Sequence, residues 1–166
     1  MCLTKSFGTE AELEAALRTP DVAQEDIVVY KRFMELNESI MSPMQGFYYE
    51  HGKRYGPIMM VSSRRNNDVG AELIMDVFEG FHSYTNRDLA VFASNGSGEA
   101  GKREVILECT VPKGSLYYAD QGYVVSDTLE IPAKGEREVH VGSVVRLNRM
   151  RRTRCLRQTT GGRVLS

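Results

Sequence analysis

The chain has 166 residues, with 21 basic and 22 acidic side chains and a formal net charge of −1. That length suits one domain that buries a core without covalent staples. The near-neutral charge excludes a protein that grips nucleic acid over its whole surface, and three scattered cysteines exclude a disulfide framework.

Met1 to Phe7 is a short lead-in. Glu10 to Leu17 reads as a helix, with Thr9 as N-cap, Glu10 and Glu12 in the first turn, and Leu13, Ala16 and Leu17 on one face. Thr19-Pro20 ends it. Ile27 to Phe33 is a strand rich in β-branched and aromatic residues. Alternation puts Ile27, Val29, Lys31 and Phe33 on one face and Val28, Tyr30 and Arg32 on the other, so neither face is uniformly apolar. Gln45 to Glu50 reads as extended, and His51 to Pro57 as a glycine-punctuated turn with a short extended piece. Tyr48, Tyr49 and Tyr55 suit cross-strand packing or stacking on a flat ligand.

Ile58 to Ser62 reads as a strand. Ala71, Ile74, Met75 and Phe78 have helical spacing and predict a short helix within Val69 to Phe78. Gly80-Phe81-His82-Ser83-Tyr84 then joins an anchor residue to three side chains able to hydrogen-bond, one of them an imidazole. A helix over Asn86 to Ala93 follows, capped by Thr85 or Asn86. Glu104 to Val111 is the clearest strand. Its alternation places Cys109 in the core as a thiol rather than a nucleophile. Leu116 to Ala119 and Tyr123 to Ile131 read as strands, the second with a break at Ser126-Asp127. A last strand region runs over Glu138 to Leu147, with Gly142 as a bend.

The sum is six or seven strands with two or three short helices. The predicted fold class is α+β, a single domain with an antiparallel or mixed sheet. Its predicted bounds are residues 1–145, followed by an arginine-rich C-terminal tail at 146–166. The tail holds seven arginines and none of the 22 acids. Arg151, Arg152, Arg154 and Arg157 suit an acidic partner or nucleic-acid phosphates.

No GxxxxGKS or GxxxxGKT, HExxH or GxSxG motif occurs, and no cofactor is expected. His51, His82 and His140 are scattered, and no metal site is expected. Neither a signal peptide nor a membrane-spanning apolar run is visible, which predicts a cytoplasmic protein.

The Cys2-Leu3 start, the Asp26–Lys31 strand and Ser42-Pro43 belong to a wider pattern. It continues through the Tyr49–Tyr55 segment, Gly80–Tyr84, Val111–Ser115 and Val125-Ser126-Asp127. As a set, over roughly residues 1–131, they resemble small uncharacterised proteins of phages and gut bacteria. That resemblance implies the host cytoplasm as location and brings no activity with it. A second resemblance is to the ADP-ribosyltransferase scaffold. Val29-Tyr30-Lys31 stands for its first core strand, Phe81–Tyr84 and the following helix for its middle motif, and Leu107–Gly114 with Gln121–Val125 for its later strands. The catalytic Glu of that family has no counterpart, Asp120 and Gln121 being nearest.

Together these readings predict a non-catalytic binding protein for a nucleotide-like molecule or a host protein. Tyr30, Lys31, His82, Ser83, Tyr84 and Tyr118 are its candidate ligand-binding residues. Lys31 would face an acidic group, His82 would hydrogen-bond and the tyrosines would stack. An NAD- or nucleotide-processing enzyme with His82 or Asp120 as base, and a virion structural or assembly protein, remain alternatives.

Overall fold

The structure is a computed structural model. It describes residues 3–43, 46–66, 72–93 and 103–139. The expected C-terminal tail, the bend at Gly142 and the domain boundary at residue 145 lie outside the described residues.

The chain opens with β1 (Leu3–Phe7), α1 (Glu10–Arg18) and β2 (Asp21–Val22). Thr9 caps α1 in a reciprocal box: Glu12 N donates to Thr9 Oγ1, and Thr9 N donates to the Glu12 carboxylate, both at 3.2 Å. β3 (Ile27–Leu36) turns through Asn37 into β4 (Ser39–Met41). Two short strands follow, β5 (Tyr48–Tyr49) and β6 (Arg54–Tyr55). β7 (Met60–Asn66), β8 (Glu72–Glu79) and β9 (Phe81–Tyr84) lead to α2 (Arg87–Ala93). Asn86 Oδ1 caps α2 by accepting from Asp88 N at 2.6 Å and Leu89 N at 3.3 Å. β10 (Arg103–Val111), β11 (Leu116–Asp120), β12 (Tyr123–Ser126), β13 (Leu129–Glu130) and β14 (Glu138–Val139) complete the described chain.

Two sheets result. The smaller has the order β1-β8-β7. The larger runs β2-β11-β12-β9-β3-β10-β13-β6, with β4 and β5 branching from β3 and β14 from β10. Every pairing in both is antiparallel. One face of the large sheet contributes Val29, Phe33, Phe81, Leu107, Cys109, Val124 and Leu129 to a single buried cluster, together with Ile40 and Tyr49. These come from strands far apart in the sheet order, so the sheet curls around them. The other face packs Tyr118 and Val125 against Leu3, Leu73, Met75 and Val77 of the small sheet and Leu13 of α1. α2 covers the remaining part of that face, with Ala90 and Val91 on Ile106.

The expected α+β class is corrected to a β-rich fold. About half of the described residues are strand (53%) and 13% are helix. The predicted helix within 69–78 is the strand β8 where it is described. Leu73, Met75 and Val77 alternate into the core between sheets, but Ile74 is buried on the opposite face as well. Burial on both faces erased the two-residue period and left a helical one. The strand count is low because five of the described strands span two residues, too few to show a period, and because β1 reads in sequence as a lead-in and β8 as a helix. The ADP-ribosyltransferase-like layout goes with the α+β class, since the helical share it needs is taken by strand. Among the described residues no helix is long and apolar enough to cross a membrane.

Gly80 is the corner between the sheets. β8 ends in the small sheet, and one residue later β9 starts in the large one. Gly80 has φ +134°, and an added Cβ would lie 2.7 Å from Val125 Cγ1 and 3.1 Å from Ser126 O. Both conformation and space therefore require glycine. Gly80→Ala is expected to lower stability by about 3 kcal/mol. Gly114→Ala, strained in φ but with nothing within 4 Å of its added Cβ, is expected to cost about 1 kcal/mol. Urea denaturation of the two variants checks this; equal losses would contradict the corner assignment.

A candidate ligand cleft at the β3–β9 seam

β3 and β9 are neighbours in the large sheet, yet they pair at one position only, Tyr30 with Tyr84. One residue past that pair come Lys31 on β3 and Ser83 on β9, both buried on the core face. Here a cleft of about 260 Å³ opens. Lys31, His82 and Ser83 stand in its wall with Tyr84, Tyr123 and Val124. Its rim comes from Leu3 and Thr4, Ser42 and Pro43, and the β11–β12 turn at Asp120 and Gln121.

Lys31 is 4% exposed. It sits between Val29 and Phe33 on the apolar face of β3. Its Nζ donates to the His82 carbonyl at 2.7 Å, bridging the strands just where their ladder ends. The Phe33 and Tyr49 rings lie 5.8 and 5.9 Å from the ammonium, measured to their centroids. Burial brings the Lys31 pKa down from 10.5 to about 8, slightly opposed by the nearby Cys109 thiol. Burial likewise pushes that thiol up to about 12 and the Tyr49 phenol above its ordinary value. Neither is a nucleophile at neutral pH, as expected for Cys109.

His82 points to the opposite face of β9. Its imidazole is held neutral, with a pKa near 4, first by burial and then by the Lys31 charge. A hydrogen bond to the Phe78 backbone favours the protonated ring but is outweighed. Nε2 is buried without a partner among the described residues, and so is Ser83 Oγ. Ser83 is 3% exposed. Two unsatisfied polar atoms beside one cleft are uncommon in a native interior, where such groups find partners or ligands.

Tyr84 and Tyr123 are register partners, with ring centroids 5.2 Å apart. Arg32 also lines the cleft but is already engaged. Its guanidinium donates to Glu104 at 2.5 Å, to the Ala93 carbonyl that ends α2, and to the Tyr84 hydroxyl.

Four of the six expected ligand-binding residues thus line one cleft: Lys31, His82, Ser83 and Tyr84. Tyr30 packs half-buried against the α2 cluster, as Tyr84 also does, but does not line the cleft. Tyr118 is buried elsewhere, and its hydroxyl donates to Ala16 O at 3.0 Å and Leu17 O at 3.2 Å, satisfying the last turn of α1. Thr4, Ser42 and Pro43 were not anticipated, because nothing local in sequence links them to β9. Among the described residues no group of three or more His, Cys, Asp or Glu could hold a metal ion. Compared with known proteins, the chain matches no family model, no curated protein and no solved structure.

The Lys31 shift has a sign that can be measured. The unfolded lysine titrates near 10.5 and the folded one near 8, so between these values the unfolded chain binds more protons and stability rises with pH. Over the whole window that gain is about 3 kcal/mol. The raised Cys109 value acts oppositely above pH 9, so the difference between wild type and Lys31→Met isolates the lysine. Wild-type stability is expected to gain about 3 kcal/mol on the variant between pH 7 and 10.5. Denaturation midpoints across that range check it; parallel curves would mean that Lys31 is not desolvated.

Proposed function

We propose that the protein binds one small nucleotide-like molecule in the β3–β9 cleft without transforming it. The observation that carries this reading is the buried Lys31 ammonium lining a cleft that also holds the Ser83 hydroxyl, which has no partner among the described residues. A desolvated cation beside open space favours an acidic or carbonyl oxygen as its partner. The tilted Tyr84–Tyr123 pair supplies an aromatic wall for a flat, unsaturated ring.

The size of the cleft bounds the ligand. At about 260 Å³ it lies just below the range of roughly 300–1,000 Å³ usual for drug-sized ligands. Lys31 supplies one cation, and Arg32 is spent on Glu104, Ala93 and Tyr84. A pyrophosphate therefore finds no second charge in the wall. The ligand class narrows to a nucleoside, a nucleoside monophosphate or a one-ring aromatic acid.

Calorimetry with these three classes tests the reading. At least one is expected to bind, and at a hundred times its Kd to raise the Tm by about 5–10 °C. Lys31→Met is expected to weaken that binding about 10–100-fold, the worth of one charge-assisted hydrogen bond. Tyr118→Phe is expected to lose about 1 kcal/mol of stability with unchanged affinity, because its hydroxyl serves α1. Failure of all three classes to bind would overturn the reading.

A further inference from the structure

Lys31 has a second property that ion pairing does not use. Among the described residues no carboxylate pairs with it; its one hydrogen-bond acceptor is the His82 carbonyl. A buried lysine kept as a permanent cation gains from a carboxylate partner. Lys31 is instead 4% exposed, and burial favours the uncharged amine, against the attraction of the Phe33 and Tyr49 rings for the cation. The depressed titration described above leaves a substantial fraction of free amine at physiological pH. An uncharged amine at the wall of a cleft is a nucleophile for carbonyl carbon, and desolvation is the usual way a lysine acquires that reactivity. Ser83, which lines the same cleft, has a buried hydroxyl with no partner among the described residues. A hydroxyl in that wall is a donor for the oxygen of a carbonyl compound held in the cleft.

We propose that Lys31 is an imine-forming lysine that captures a small, flat aldehyde in this cleft, with the Ser83 hydroxyl holding the carbonyl oxygen. The step is a condensation and needs no oxidant or reductant. The ammonium first gives one proton to solvent. The Nζ lone pair then forms the C–N bond while the carbonyl π pair moves to oxygen, which takes a proton from nitrogen to give a carbinolamine. Loss of that hydroxyl as water, with the remaining nitrogen proton, leaves the C=N bond. One amine and one aldehyde yield one imine and one water. The inference rests on the proposed ligand cleft but asks more of it, namely a covalent bond.

The test uses the full chain and 4-hydroxybenzaldehyde, with sodium cyanoborohydride to reduce any imine and peptide mass mapping to locate it. Labelling is expected to be saturable and to fall on Lys31 at least tenfold faster than on the exposed Lys53, Lys113 or Lys134 at pH 7.5. Its rate is expected to rise with a midpoint near pH 8, against about 10.5 for an ordinary lysine. Ser83→Ala is expected to slow trapping about tenfold while leaving that midpoint in place. The closely similar 4-hydroxybenzyl alcohol, which cannot condense, separates the two ideas. If the alcohol binds and Lys31 stays unlabelled, the imine is overturned and the ligand cleft stands. If labelling merely follows exposure, the imine is overturned whether or not the alcohol binds, and the ligand cleft is judged by the calorimetry with the three ligand classes above. Mapping is done on the wild-type chain, so the result does not depend on a variant that folds poorly.

Discussion

The hydrogen bond from Lys31 Nζ to the His82 carbonyl is the contact on which the centre of the large sheet depends. β3 is held along nearly its whole length by β10, from Ile27 with Val111 to Glu35 with Arg103. On its other side it meets β9 at one pair. Beyond that pair the carbonyl of His82 points into the seam and must be satisfied by something other than backbone. A side chain from the strand opposite does this, at 2.7 Å. The sheet stays continuous across the seam and is yet open enough there to leave a cleft.

Gly80 sets the second constraint. The chain leaves one sheet and enters the other within a single residue, close against Val125 and Ser126 of β12. That corner fixes where β9 begins, and alternation then decides the rest. Phe81 and Ser83 turn to the inside of the curled sheet, His82 and Tyr84 to the outside. The stretch from Gly80 to Tyr84 is thus first a corner and then a wall of the cleft. Its histidine is neutral because it is buried beside a cation, not because it is tuned by an acid.

How much of this was legible depends on how local each signal is. The capping box at Thr9 and Glu12 involves four consecutive residues and was readable. So was the core position of Cys109, since β10 is long and alternates. Lys31 was visible as a charge on an otherwise apolar face of Ile27, Val29 and Phe33. The same pattern also describes an edge strand, and only the positions of β9 and β10 show that β3 is central. β8 was misread because Ile74 and Met75 are buried on opposite faces. Of the rim, Asp120 was named as an alternative base; Thr4 and Pro43 were beyond reach, because they join the cleft through sheet topology, which no window of sequence records. Tyr118 was named for its type, an aromatic hydroxyl, when its surroundings give that hydroxyl to the end of α1.

A purely structural account of Lys31 can be weighed against the functional one by magnitude. In that account the lysine is a strut for the His82 carbonyl. A net intramolecular hydrogen bond contributes about 1 kcal/mol, and leaving the carbonyl bare costs about 1–3 kcal/mol. Either sum is available to an uncharged donor of similar reach, such as a glutamine. Burying the ammonium instead costs about 3 kcal/mol at neutral pH, a large part of the 5–15 kcal/mol by which a domain is stable. The strut needs an N–H; it does not need a titratable amine. What the amine adds, and an amide does not, is a charge for an acidic ligand or a lone pair for an electrophile. Both are offered where the wall of the cleft also holds a buried hydroxyl with no partner among the described residues.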